Sequence, residues 1–163
     1  DVLATALRAG WTPADLTELD LAYAPPSASA KDPVNMAGYM IENLLTGKVR
    51  QFRLEDLPAL PRDGSVTLLD ARTPGEYRAG HADGFANLPL DDLRGRLGEL
   101  DPAKPVYVMC QSGLRSYLAC RILTQHGFAC YNFAGGYRYY EAVTTDRRQR
   151  EQAFACGMDR PGT

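Results

Sequence analysis

The sequence predicts an α/β fold in which helices cover both faces of a parallel sheet. The first observation is a set of three short apolar runs with the length and composition of strands buried on both faces, at residues 66–69, 106–109 and 130–133. The second is the amphipathic segments that alternate with these runs, at residues 54–60, 74–79, 90–100 and 114–126. Because strands that alternate with helices are usually parallel, we expect a functional site at their carboxyl ends.

Residues 1–48 differ in composition from the remainder and predict a mostly helical extension that has no complete core of its own. The predicted elements are a helix over residues 1–9, a short helix after the N-cap Thr12, a strand over 19–24, a loop over 25–30 and a helix over 32–47.

Charge and hydropathy exclude several classes of function. The 163 residues carry 18 basic and 20 acidic side chains, for a net charge of −2, so no overall positive field attracts nucleic acid or an anionic membrane. The longest apolar run, residues 106–110, is far shorter than the roughly 20 residues of a membrane-spanning helix. The first residues show no signal peptide, and we therefore expect a cytoplasmic protein without nucleic-acid or membrane partners.

The four cysteines are too few and too evenly spread for a disulfide framework, and no Cys-x-x-Cys pair provides zinc spacing. We therefore predict no metal site and a reducing compartment. Cys120 lies in a predicted helix and Cys130 begins a predicted strand, so both are expected to pack in the core. Cys156 lies in a polar segment and is a candidate for an exposed second thiol.

The remaining cysteine, Cys110, directly follows the strand predicted at residues 106–109, and Gly113, Arg115 and Ser116 come next at the start of a helix. A loop of this kind can direct backbone N–H groups at the sulfur, and the helix N-terminus adds about half a positive charge. Arg115 is expected to add a full positive charge beside the same sulfur. Because the thiolate is the reactive form of cysteine, the pattern predicts a nucleophile at Cys110.

The segments around this loop resemble the rhodanese domain, an α/β domain that transfers sulfur. Four motifs occur in the family's order: Asp-x-Arg…Glu-aromatic at residues 69–77, Gly-His…Asn-x-Pro at 80–89, the loop after Cys110, and Gly-Gly-aromatic at 134–137. The resemblance covers about residues 50–143. It implies a central parallel sheet of about five strands flanked by helices, and a persulfide carried on Cys110.

The resemblance also implies a role for each loop residue. Cys110 and Arg115 are expected to be catalytic, and the expected substrate-binding residues are Gln111, Ser112, Gly113, Leu114 and Ser116. The motif residues outside the loop are expected to be structural: Asp70 and Arg72 as an ion pair or loop anchor, Glu76 as scaffold, His81 as a turn residue, and Asn87 and Pro89 as a chain bend.

Residues 1–48 carry a second resemblance, to the end of the dimerisation domain of FAD-dependent coenzyme A disulfide reductases, some of which have a C-terminal rhodanese domain. The implied domains are this remnant at 1–48, a rhodanese domain at 49–145 and a polar C-terminal tail at 146–163. The glycine-rich FAD and NAD(P)H segments are absent from this sequence, so no cofactor is expected in it. The resemblance implies a homodimeric parent protein, in which Tyr23 lies near the reductase site. It also implies small sulfur-containing substrates, coenzyme A persulfide among them.

Two other functions share parts of the pattern. Phosphatases also place an Arg after a loop Cys, but their loop is typically longer than the four residues between Cys110 and Arg115, and the smaller ring favours sulfur. Met109 stands where phosphatases commonly have His, and the loop has no acidic residue to protonate a leaving group. The second alternative is a non-catalytic rhodanese-like module that regulates or recruits a partner. Such modules usually lack the thiol, and we therefore predict sulfur transfer from a persulfide, polysulfide or thiosulfate donor to a thiol or cyanide acceptor.

Overall fold

The computed structural model describes residues 1–22, 24, 26 and 31–155, apart from the side chains of residues 151–155. Tyr23, most of the predicted loop over residues 25–30, and Cys156 lie outside the described residues. The chain divides between Val49 and Arg50 into two compact units. In the described part of the chain, no helix has the length and apolar character needed to cross a membrane.

The first unit consists of helices, which are α1 (Val2–Ala9), α2 (Pro13–Thr17) and α3 (Pro33–Leu45). The strand predicted over residues 19–24 is wrong, because residues 19–22 and 24 form no strand. Instead, the Asn35 side chain donates to the carbonyl oxygens of Leu16 and Leu19 at 2.9 and 3.1 Å. The chain after α2 is thus held by a side chain rather than by strand pairing.

Helices α2 and α3 pack closely at Gly38. A Cβ atom at this position would lie 2.8 Å from the carbonyl oxygen of Pro13 and 2.9 Å from Cβ of Leu16, so only glycine allows this approach. The other apolar residues of α3 are less covered, and Ile41 and Leu45 are exposed.

The second unit is built around five parallel strands in the order β1-β5-β4-β2-β3. The strands are β1 (Gln51–Phe52), β2 (Thr67–Asp70), β3 (Ala86–Asn87), β4 (Val106–Met109) and β5 (Cys130–Phe133). This arrangement confirms the predicted fold class and the number of strands. Strands β4 and β5 have the predicted bounds, and β2 is displaced by one residue.

The helices of this unit are α4 (Pro74–Ala79), α5 (Leu90–Leu93), α6 (Leu114–Gln125) and α7 (Gly136–Ala155), with 3₁₀ helices at Leu54–Ala59 and Leu97–Glu99. The single helix predicted over residues 90–100 is therefore wrong, since the chain forms two short helices separated near Gly95. The predicted boundary at residue 145 falls inside α7. The polar residues beyond it are good helix formers, and Asp146 and Arg150 form an i,i+4 ion pair.

Residues of one strand alternate between two cores, one on each face of the sheet. Leu69, Val108 and Cys130 belong to the core that α5 and α6 cover. Leu68 and Met109 belong to the other core, to which the 3₁₀ helix Leu54–Ala59 and α7 contribute. Burial on both faces explains why the central strands are continuous apolar runs, and it leaves the strand ends as the place where polar side chains meet.

Candidate active site

The site lies at the carboxyl ends of the central strands, where Cys110 follows β4. Residues 110–113, which we call the Cys110 loop, connect β4 to the first turn of α6. Because β4 lies between β5 and β2, the ends of those two strands flank the loop. The Cys110 side chain is only 1% exposed. The predicted nucleophile is thus a buried thiol at the middle of the sheet's carboxyl edge.

Two hydrogen-bond donors contact the Cys110 sulfur. The backbone N–H of Gly113 donates to Sγ at 3.1 Å, and the buried Ser116 hydroxyl lies 3.2 Å from both Sγ and the Gly113 carbonyl oxygen. Both residues lie at the N-terminus of α6, where the first N–H groups have no carbonyl partner within the helix. The donors and the positive end of the helix dipole stabilise negative charge on the sulfur, which a nucleophilic thiolate requires.

Gly113 shapes the loop and links it to β5. It is the N-cap residue of α6 with φ of 105°, a conformation that glycine adopts without a steric penalty. Its carbonyl oxygen accepts from the Tyr117 N–H at 3.0 Å and from Asn132 Nδ2 at 3.3 Å. Asn132 is a buried residue of β5, and its Oδ1 atom has no hydrogen-bond partner among the described residues.

The start of α7 holds the other side of the loop. The N–H of Tyr137 donates to the Cys110 carbonyl oxygen at 2.7 Å, and the N–H of Arg138 donates to that of Gln111 at 3.2 Å. Gly136 precedes them with φ of 69°, and a Cβ atom there would lie 2.5 Å from the Gln111 carbonyl oxygen. The turn at Gly135 and Gly136 therefore allows the backbone at the start of α7 to pack directly against the Cys110 loop.

A buried ion pair at the end of β2 provides a third anchor. Asp70 is fully buried and Arg72 is 2% exposed, and Arg72 Nη2 lies 2.7 Å from Asp70 Oδ2. The same guanidinium donates to Gly80 O at 2.7 Å and to Gln111 Oε1 at 3.2 Å, and it lies 3.9 Å from the centre of the Tyr137 ring. The negative charge of Asp70, the two oxygen acceptors and the Tyr137 ring offset the cost of burying the Arg72 guanidinium. The structural role predicted for Asp70 and Arg72 is confirmed.

Arg115 contacts a carboxylate on α4. Its Nη1 and Nη2 atoms each lie 2.7 Å from an oxygen of Glu76, which also caps α4 through Thr73. The guanidinium hydrogen bond lowers the pKa of Glu76 to about 2, and the same bond raises the pKa of Arg115. The guanidinium predicted to act on the Cys110 sulfur is therefore paired with Glu76. A catalytic role for Arg115 stays a prediction.

The five residues predicted to bind substrate surround Cys110 but face different ways. Gly113 and Ser116 contact the sulfur, and the Gln111 side chain accepts from Arg72, as described above. Ser112 is exposed and Leu114 is 62% exposed, so both face solvent. Substrate binding by any of the five stays a prediction.

Other candidate residues have structural contacts. The His81 ring stacks on Tyr77 at 3.9 Å, and its Nδ1 lies 3.1 Å from the Tyr77 carbonyl oxygen. Asn87 Nδ2 donates to the carbonyl oxygens of Asp70 and Arg72 at 3.0 and 2.8 Å, which fixes the chain bend predicted there. Across the described residues, no three side chains of His, Cys, Asp or Glu form a group that could hold a metal ion.

The contact of Asn132 with the loop and the Arg115–Glu76 pair were not predicted from the sequence. A polar residue inside the apolar run Cys130–Phe133 was the available signal for Asn132, since a buried amide needs a hydrogen-bond partner. No comparable signal existed for the ion pair, whose members are 39 residues apart in the chain.

Comparison with known proteins identifies the family. Residues 54–142, more than half of the chain, match the model of the rhodanese-like domain. The chain belongs to the rhodanese-like domain family. Among solved structures, reduced CoADR-RHD of Bacillus anthracis is 42% identical with a TM-score of 0.84, and the match covers 90% of this chain and 26% of that one. The NAD-dependent persulfide reductase from A. fulgidus is 35% identical with a TM-score of 0.70, over 83% of this chain and 24% of that one.

Curated relatives match a part of the chain. A protein named sulfurtransferase from Allochromatium vinosum is 38% identical over 72 residues, which are 44% of this chain and 67% of the relative. YqhL of Bacillus subtilis is 40% identical over 72 residues, which are 44% of this chain and 57% of that protein. The chain therefore spans about half of YqhL and about a quarter of each reductase. It has sulfurtransferases and reductase-linked domains among its relatives.

Proposed function

We propose that this chain transfers sulfane sulfur through a persulfide on Cys110. The Cys110 thiolate attacks the outer sulfur of the donor, the donor's S–S bond breaks, and the donor leaves as a thiolate, or as sulfite when it is thiosulfate. A thiol or cyanide acceptor then attacks the outer sulfur of the persulfide and returns the Cys110 thiolate. The two half-reactions form a double displacement with ping-pong kinetics.

The contacts of the Cys110 sulfur are the observation that carries this proposal. In each half-reaction negative charge resides on sulfur, either on Sγ or on the outer atom of the persulfide. The Gly113 N–H donates to Sγ, and the Ser116 hydroxyl lies within hydrogen-bond distance of the same atom. Three anchors, from β5, α7 and Arg72, hold the loop that carries them. Donors that are held in place stabilise developing charge without reorganising during the reaction.

Arg115 acts in this proposal as a positive charge that its ion pair with Glu76 holds in position. The pair is one-third exposed, so a donor that reaches the loop can approach the guanidinium from solvent. Gln111, Ser112 and Leu114 add no positive charge to the site. Together with the resemblance to coenzyme A disulfide reductases, this leads us to expect that persulfides and polysulfides are better donors than thiosulfate.

Residues 1–48 are proposed to be the end of a reductase dimerisation domain. The match to CoADR-RHD supports this, because its 90% coverage exceeds the share of the chain that lies after Val49 and so extends into the first unit. In the proposed parent protein, a homodimer in the cytoplasm, the missing reductase part would bind FAD and NAD(P)H. Coenzyme A persulfide is then the expected small-molecule substrate.

Mass spectrometry after treatment with a donor tests the central step. We expect one added sulfur atom on the tryptic peptide of residues 97–115, which contains Cys110 and no other cysteine. Cys156→Ala should retain this label and Cys110→Ala should lose it. A label on another cysteine, or no label in the folded chain, would contradict the proposal.

A second assay addresses the binding-module alternative and the donor. With thiosulfate as donor and cyanide as acceptor, we expect the chain to form thiocyanate above the background of Cys110→Ala. A binding module without activity would form none above that background. Single-turnover kinetics should favour glutathione or coenzyme A persulfide over thiosulfate, and the opposite order would refute the donor assignment.

A further inference from the structure

The core beside the proposed site contains a second pair of thiols. Cys120 lies on α6 and Cys130 begins β5, and their Sγ atoms are 2.8 Å apart. Both side chains are buried, with 2% and 6% exposure. They belong to the same core as Cys110, but the proposed sulfur transfer does not use them.

The contact is closer than core packing requires. A buried cysteine ordinarily behaves as a small apolar residue, and two such residues need no sulfur-to-sulfur contact. A disulfide bond is about 2.05 Å long, so these two atoms need to approach by less than about 1 Å to be at bonding distance. The close contact with the Cys130 thiol and burial raise the pKa of the Cys120 thiol, which favours its protonated form in the folded domain. The two sulfur atoms are therefore close enough to form a disulfide bond, while burial shields both thiols from reagents in solvent.

We propose that Cys120 and Cys130 form a buried dithiol that a low-molecular-weight disulfide oxidises to an intradomain disulfide. When the domain opens locally, the thiolate of one cysteine attacks a sulfur of the oxidant, whose S–S bond breaks and releases one thiolate. The second cysteine loses its proton and attacks the protein sulfur of this mixed disulfide, releasing the other thiolate. In sum, the protein gives up two electrons and two protons, and the oxidant becomes two thiols.

The bond would join the two elements that position the Cys110 loop. Ser116, which contacts the Cys110 sulfur, lies one turn before Cys120 on α6. Asn132, which contacts the loop carbonyl, lies two residues after Cys130 on β5. A cross-link between α6 and β5 restricts the unfolded chain and stabilises the arrangement in which both contacts exist.

Refolding from the unfolded chain tests the proposal, because both thiols are then accessible to the oxidant before the core closes. The full chain carrying Cys110→Ser and Cys156→Ser is reduced, unfolded and refolded in a buffer of reduced and oxidised glutathione. Trypsin separates the remaining thiols, because Cys120 lies in the peptide 116–121 and Cys130 in the peptide 122–138. We expect these two peptides to be joined and two hydrogen atoms lighter than their sum. We also expect the cross-linked chain to unfold at a temperature about 5 °C or more above the reduced chain.

Single replacements provide the matched controls. Cys120→Ala and Cys130→Ala in the same background should each leave one thiol, which takes up at most one glutathione. If the doubly substituted chain fails to fold, the unaltered chain can be oxidised and digested in the same way. A Cys120–Cys130 bond is still identified there, because Cys110 and Cys156 lie in two other peptides, 97–115 and 151–163. The proposal is overturned if chains that are folded by circular dichroism keep both thiols free or glutathionylated separately, or if the cross-link lowers the unfolding temperature.

Discussion

Replacing Glu76 with Gln tests how much the pair with Arg115 contributes to the domain. Glutamine keeps the shape of the side chain and can still accept a hydrogen bond, but it removes the negative charge. Arg115 then loses the two charge-assisted contacts of 2.7 Å that fix its guanidinium. We expect a loss of stability and a slower transfer of sulfur, because Arg115 lies in the first turn of α6, whose N-terminus faces Cys110.

The magnitude follows from the pKa of Glu76, which falls from 4.5 to about 2 chiefly because Arg115 donates to the carboxylate. At ~1.4 kcal/mol per pKa unit this fall corresponds to about 3 kcal/mol. Both side chains are about one-third exposed, and solvent screens the pair, so we expect about 1 kcal/mol. Because folding lowers this pKa, the stabilisation is fully present above pH 4.5 and is lost as the pH falls toward 2.

Urea unfolding of both proteins from about pH 7 to about pH 3 measures this difference. The free energy of unfolding should differ by about 1 kcal/mol at neutral pH, and the difference should shrink below pH 4.5. Glu99→Gln is the matched control, because Glu99 pairs with Arg96 at the same 2.7 Å but with side chains 56% and 43% exposed. If Glu76→Gln costs no more than Glu99→Gln, and its difference from the wild type does not change with pH, the reasoning is refuted.

Three further substitutions test single contacts of the Cys110 loop. Ser116→Ala removes a donor at 3.2 Å from the sulfur and should slow persulfide formation about tenfold in single-turnover labelling, while the urea midpoint changes little. Asn132→Ala removes the side-chain donor to the loop carbonyl at 3.3 Å and should lower the free energy of unfolding by about 1 kcal/mol, with slower transfer. Gly136→Ala places a Cβ atom 2.5 Å from a loop oxygen at a positive φ and should cost roughly 2 kcal/mol or more in thermal unfolding. Gly95→Ala, where the Cβ atom meets nothing closer than 3.6 Å, should be nearly neutral.

The parts of the fold that could be predicted are those in which a local pattern matches a tertiary constraint. The strands at residues 106–109 and 130–133 are continuous apolar runs because both faces of the sheet are covered, and the structure places them at those residues. Cys110 could be identified for a similar reason. A strand, a thiol and a glycine before a helix describe the local geometry of the Cys110 loop almost completely.

The parts that could not be predicted depend on neighbours that are distant in the sequence. Strands β1 and β3 have two residues each, too few to show a period, and they exist because longer strands lie beside them. Most of α7 is polar and carries little periodic signal, so its length depends on intrinsic helix propensity. The position of the Arg115 guanidinium is decided by Glu76 on another helix, which no spacing around Cys110 reveals.

The distribution of contacts separates the loop into a fixed part and a free part. The backbone of the loop is held by the end of β5, by the start of α7 and by Arg72, and glycines stand where side chains would collide. Changes at those anchors should therefore affect every substrate alike, because they move the sulfur itself. Ser112 and Leu114, by contrast, face solvent and support none of the anchors described here. If sulfur transfer proceeds as proposed, substitutions at these two exposed positions should alter the choice of donor more than they alter the geometry around Cys110.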